Sequence, residues 1–142
     1  MAISRSIERN TMNHFIWSPF TSHSGLRLDW KIECDALSDS DLECLARAAI
    51  GMLERIDWPR NRFVGVPRGG LRFAEALNSL SDGDDGSEPI VVDDVYTTGT
   101  SVREAMEKHG AKRALVIYAR GIIGSDVLAL FQANYYLDPI IR

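Results

Sequence analysis

Three short apolar runs, each handing over to residues at helical spacing, constrain this chain more than any other feature. Phe63-Val64-Gly65-Val66, Ile90-Val91-Val92 and residues 114–118 (ALVIY) are too short for core helices. They are also too continuously apolar for strands with one wet face, and so read as fully buried strands. After the first run, Leu71, Ala74, Leu77 and Leu80 recur at helical spacing. After the second, residues 101–109 form a helical stretch that ends on Gly110, a residue suited to the left-handed C′ position. Ahead of all three lies a stronger helix. Ser40 and Glu43 make a capping box, Leu42, Leu45, Ala46, Ala49, Ile50, Leu53 and Ile56 form one apolar stripe, and Pro59 stops it. Such alternation predicts an α/β fold with a parallel sheet, helices on both faces and right-handed crossovers. Ligands of sheets of this kind bind beyond the carboxyl ends of the strands.

The flanks are read less directly. Leu28, Trp30 and Ile32 alternate after a Ser24-Gly25 turn and predict a short half-buried strand. Beyond the third run, Ser125 is expected to cap a last helix reaching Phe131, and residues 135–137 an edge strand. With 142 residues the chain is the size of one domain, residues 1–142. A net charge of −4 gives no basic face for a nucleic acid. Cys34 and Cys44 fit neither a CxxC spacing nor a disulfide framework and read as reduced thiols. No apolar run approaches the roughly 18 residues a membrane span needs, and the first residues have no signal-peptide core. These features predict a cytoplasmic protein without membrane or nucleic-acid partners.

The chemistry concentrates in residues 90–101, IVVDDVYTTGTS. A buried strand delivers two adjacent carboxylates, Asp93 and Asp94, to its C-terminal end. A hydroxyl-rich loop with one glycine then enters a helix N-terminus, where amide N–H groups and the helix dipole favour an anion. Thr97, Thr98, Thr100 and Ser101 add hydroxyl donors, and Gly99 permits close backbone approach. Carboxylates beside a phosphate cradle suit a sugar phosphate with vicinal hydroxyls. The alternative is a plain strand–loop–helix in which Asp94 and the threonines cap the helix and Ser101 with Glu104 makes a capping box. Val66-Pro67-Arg68-Gly69-Gly70 is a second anion candidate, with glycine amides and one guanidinium between a strand and a helix; alone, it equally describes a turn.

In order and spacing, residues 90–101 resemble the phosphoribosyl pyrophosphate (PRPP) motif of type I phosphoribosyltransferases. The resemblance implies a Rossmann-like core, about residues 38–142, under a small N-terminal hood, about residues 20–37. It implies that Asp93 and Asp94 hold the ribose hydroxyls and that Thr97, Thr98, Gly99, Thr100 and Ser101 bind the 5′-phosphate. Pro67, Arg68, Gly69 and Gly70 would bind pyrophosphate, with a non-proline cis peptide between Pro67 and Arg68 and catalytic roles for Asp93, Asp94 and Arg68. Phe20-Thr21-Ser22-His23-Ser24-Gly25 and the following Trp30 resemble the hood of orotate phosphoribosyltransferases. Phe20, Ser24, Gly25, Trp30 and Arg120 would then bind the base, Arg120 facing the orotate carboxylate through paired N–H donors. The implied reaction joins PRPP and a nitrogenous base, orotate first, with Mg²⁺ carried mostly by PRPP and water and no protein metal site. The family is commonly a homodimer. One departure stands out. Where such enzymes have a long loop with basic residues, residues 81–89 carry Asp82, Asp84, Asp85 and Glu88 and no Lys or Arg. That pattern predicts slow turnover, and it keeps two other readings open: a catalytically weak PRPP- or nucleotide-binding regulatory module, and a purine-salvage enzyme, since PRGG also occurs in purine-using relatives.

Overall fold

The computed structural model describes residues 34–58, 62–81 and 88–133, together with the backbone of residues 15–16, 20–21, 27–28 and 31–32. The Ser24-Gly25 turn, Trp30, the tip of the acidic loop (residues 82–87) and residues 135–137 lie outside the described residues. The chain divides into two compact units, Met1–Ser38 and Asp39–Arg142.

In the first unit, β1 (Phe15–Ile16) pairs antiparallel with β4 (Lys31–Ile32), and β2 (Phe20–Thr21) pairs antiparallel with β3 (Arg27–Leu28). The pairings nest, Phe15 opposite Ile32 and Phe20 opposite Leu28. The single strand expected over residues 28–32 is thus divided between β3 and β4. A short 3₁₀ turn, Cys34–Ala36, follows.

The second unit runs α1 (Asp39–Arg55), β5 (Phe63–Gly65), α2 (Gly69–Leu80), β6 (Ile90–Tyr96), α3 (Thr100–His109), β7 (Arg113–Arg120) and β8 (Val127–Ala133). The four strands form one parallel sheet in the order β5-β6-β7-β8. The α/β fold read from the apolar runs is therefore the fold observed. Ile90, Val91 and Val92 of β6 and Leu115, Val116 and Ile117 of β7 are completely buried, as strands covered on both faces must be. Helix α2 packs on β5 and β6, and α1 packs on α2. Val102 and Met106 of α3 join a cluster with Val91, Ala114 and Val116. Strand β5 lies at the edge of the sheet, and Asn78 of α2 satisfies part of it. Its amide oxygen accepts the Phe63 N–H at 3.0 Å while its NH₂ donates to the Phe63 carbonyl at 2.9 Å, both bonds a neighbouring strand would otherwise supply.

Three expectations are corrected. The stripe of α1 was expected to include Ile56, but the helix ends at Arg55, Asp57 turns at φ 59°, and Ile56 is exposed. The apolar run was read as ending at Val92, but strand β6 continues to Tyr96, with Asp93 and Asp94 inside it. The helix expected from Ser125 to Phe131 is strand β8. Ala114 pairs with Val127 and Arg120 with Ala133, so residues 121–126 must return the chain along roughly 20 Å of strand. Six residues in a helix advance only about 9 Å, whereas extended they reach that far. The crossing is consequently an extended strap that packs Ile123 against the α3 side of the core. Among the described residues, no helix is long and apolar enough to cross a membrane.

Candidate active site

The sharpest geometry lies at the carboxyl end of β6. Asp93 is buried, and its Oδ1 accepts the Asp94 N–H at 2.8 Å; Asp94 Oδ1 in turn accepts the Val95 N–H at 2.7 Å. Burial first, then the hydrogen bond and charge of Asp94, push the Asp93 carboxyl up from 3.8 to about 8. Buried with a like charge beside it, at the carboxyl end of a parallel sheet, Asp93 is a candidate site residue.

Two helices begin beside this pair, and no side-chain hydrogen bond caps either of them. Helix α3 starts from Gly99 at φ 85°, a conformation that favours glycine. The capping-box alternative for Ser101 and Glu104 is not what forms. The N-cap is Gly99, and the loop hydroxyls engage each other instead, Thr98 Oγ1 with Thr100 Oγ1 at 3.1 Å. Thr98, Thr100 and Ser101 are exposed, whereas Gly99 is buried. The start of α3 thus presents uncapped amides to solvent beside exposed hydroxyls, with the positive end of the helix dipole behind them.

Helix α2 starts from Arg68, and the Pro67–Arg68 peptide is cis, at the position expected. Its glycines explain how this helix end approaches β6. A Cβ on Gly69 would collide with the Asp94 carboxylate, one on Gly70 would collide with the Val92 carbonyl oxygen, and one on Gly65 would lie 2.6 Å from the Gly70 carbonyl oxygen. Backbone bonds lock the same junction: Val66 N–H to Val92 O at 2.8 Å and Gly70 N–H to Val66 O at 2.9 Å. The structure therefore brings Asp93, Asp94, residues 97–101 and the 67–70 loop to one edge of the sheet.

Arginines surround this edge unequally. Arg68 is exposed at the α2 N-terminus. Arg72 engages Asp39 at 3.0 Å on the surface. Arg120, at the end of β7, is buried at 6% exposure, a placement a solvated surface charge would not take. Phe20 is placed by its backbone in β2, and Ser24, Gly25 and Trp30 lie outside the described residues. Sequence reading did not single out Tyr96, whose ring lies beneath Gly99, or Arg103, which is paired with Asp126. Their only signal was their place inside and just after the motif.

No protein-family model and no curated protein matches the chain. Solved structures do. Orotate phosphoribosyltransferase from Aeropyrum pernix superposes with a TM-score of 0.70 at 22% identity, over 99% of both chains. The Mycobacterium tuberculosis orotate phosphoribosyltransferase in complex with inorganic phosphate gives 0.56 at 17% identity, over 92% of this chain and 94% of that one. A purine phosphoribosyltransferase from Pyrococcus horikoshii gives 0.51 at 20% identity, over 68% and 85%. The chain has the fold of these phosphoribosyltransferases.

Proposed function

We propose that this protein transfers a phosphoribosyl group from PRPP to a nitrogenous base, orotate first among them, with residues 1–142 acting as a single phosphoribosyltransferase domain. One observation carries the reading. An uncapped, hydroxyl-lined helix N-terminus closely follows the Asp93–Asp94 pair, of which Asp93 is buried and Asp94 half-buried, and a second uncapped helix N-terminus abuts that pair through two glycines. A sugar that bears a phosphate at one end and a diphosphate at the other matches this arrangement. That a protein of the same fold is known in complex with inorganic phosphate supports it.

In this reading, Thr97 to Ser101 and the α3 amides anchor the 5′-phosphate, and Asp93 and Asp94 take the ribose hydroxyls. The α2 N-terminus and Arg68 face the diphosphate. The C1′–oxygen bond to diphosphate breaks, a bond from C1′ to a base nitrogen forms, and positive charge builds on the ribose while negative charge builds on the leaving group. Preorganised donors at the leaving group are where most of the acceleration arises. Arg120 meets a carboxylate on the base. Phe20, Ser24, Gly25 and Trp30 are assigned to the base by the sequence resemblance alone. Among the described residues no group of three or more His, Cys, Asp or Glu is placed to hold a metal ion. By the sequence resemblance, Mg²⁺ would arrive on the diphosphate, held mostly by its oxygens and by water. Bound there, the ion would neutralise charge on the leaving group. A cytoplasmic homodimer completes the reading.

The test is turnover of PRPP with Mg²⁺ against orotate, uracil, hypoxanthine, guanine, xanthine and adenine. Product with orotate is expected. A purine product would move the protein to salvage, and no product with retained PRPP binding would make it a binding module. The acidic loop favours that second reading, because it supplies no cation to the leaving group. Turnover should accordingly fall well below the ~10 s⁻¹ typical of enzymes. Asp94→Asn should weaken ribose 5-phosphate binding about tenfold by calorimetry, because an amide keeps the shape and loses the charge-assisted bonds. Unchanged affinity would remove Asp94 from the ribose site. Arg120→Ala should lower orotate affinity by about 2–5 kcal/mol and leave PRPP affinity near wild type; equal losses for both ligands would count against the base assignment.

A further inference from the structure

The loop that the proposed reading uses for phosphate is held from behind. Tyr96, the last residue of β6, is buried among Val102, Met106 and Val91. Its ring lies directly beneath Gly99: a Cβ there would collide with the Tyr96 hydroxyl and lie 2.6 Å from Cζ. After Asp126, that hydroxyl is the next group holding the Arg103 guanidinium's pKa up. Arg103 stands in the first turn of α3, where its N–H donates to the Gly99 carbonyl at 2.9 Å. Its side chain forks onto Asp126, Nη1 to Oδ2 and Nη2 to Oδ1, the latter at 3.3 Å. Asp126 is itself pinned, for its carbonyl accepts the Ala114 N–H of β7 at 2.9 Å.

We infer that Arg103 is a positioning residue: braced by Asp126 at the end of the β7–β8 strap, it holds Tyr96 under the Gly99 turn and so fixes where the amides of residues 99–101 point. The Arg103–Asp126 pair is half-exposed, with side chains 46% and 36% accessible, and pairs of that kind add little to global stability. Its two-pronged geometry nonetheless ties together the end of β6, the first turn of α3 and the strap. Support of this sort governs the aim of a loop more than the survival of the fold. The use of the loop rests on the proposed function, whereas its mechanical support does not.

The protein and its Tyr96→Phe, Arg103→Lys and Asp126→Asn variants are compared, with Arg47→Met as a control that breaks a more exposed ion pair on α1. Inorganic phosphate is the probe, followed by calorimetry and by the backbone amide resonances of Gly99, Thr100 and Ser101. Each of the three variants should bind phosphate about tenfold more weakly with little change in melting temperature, and the control should bind as wild type does. Tyr96→Phe combined with Arg103→Lys should be no weaker than Arg103→Lys alone, since the residues act as one unit. Without any phosphate, amide hydrogen exchange at residues 99–102 should quicken about tenfold in the variants. Unchanged exchange in Arg103→Lys and Asp126→Asn, or additive losses in the double variant, would overturn the inference. Wild-type loop amides that ignore phosphate would refute the anion reading instead, and exchange rates would still decide the brace.

Discussion

Gly70→Ala is expected to lower stability by about 3 kcal/mol, at the upper end of overpacking costs, and to eliminate measurable ribose 5-phosphate binding. The added methyl would collide with the Val92 carbonyl oxygen and lie 3.0 Å from the Asp93 Cα, both backbone atoms of the central strand. No rotamer change can relieve such a clash. Either α2 withdraws from β6 or the Val66–Val92 hydrogen bond is lost, and both outcomes move the 67–70 loop away from the carboxylates. Gly51 supplies the contrast. It lies within α1, where an added Cβ would meet nothing within 4 Å. Gly51→Ala should stabilise by up to about 1 kcal/mol through helix propensity. Denaturant unfolding of both variants decides the matter, and a Gly70→Ala protein as stable as wild type would refute the junction described.

Asp93→Asn should exceed wild type in stability by a margin that grows as pH rises, and should weaken ligand binding. In the unfolded chain Asp93 ionises at its ordinary 3.8, whereas in the folded protein it keeps its proton to about 8. Between those values the folded state binds more protons, so this group's contribution is fully present below about pH 4 and is lost as pH climbs toward 8. Asparagine does not titrate and carries no such penalty. At pH 8.5 the variant should exceed wild type by an amount on the order of 6 kcal/mol, with the difference shrinking toward pH 4. Asp126 works in the opposite direction, because its hydrogen bond from Arg103 lowers its pKa and that contribution fades in acid. It is common to both proteins and cancels in the comparison. Melting temperatures across pH 4.5–8.5 that run parallel for the two would show that Asp93 is not strained by burial. A residue whose removal stabilises the fold while impairing binding is retained for function.

Much of the site was legible because its signals are local. Apolar runs mark buried strands whatever surrounds them, and IVVDDVYTTGTS announces strand, carboxylates, turn and helix within twelve consecutive residues. The cis Pro67–Arg68 bond was reached through resemblance, not through any property of the residues themselves. Ser125 to Phe131 failed for the opposite reason. Its apolar residues suit a helix or a strand equally, and the choice was made by a register against β7 that leaves room only for an extended strap. Chain pattern alone therefore determined the α/β class, the order of the elements from α1 to β7 and the edge of the sheet where the motif residues collect, since periodicity and turn residues act over a few neighbours. Tertiary structure alone decided that Asp93 is buried and holds its proton, that Gly69 and Gly70 lie against β6, and that Arg103 reaches Asp126 across 23 residues. Burial, close approach and ion pairing are properties of neighbours in space, and only the folded chain sets which residues those are.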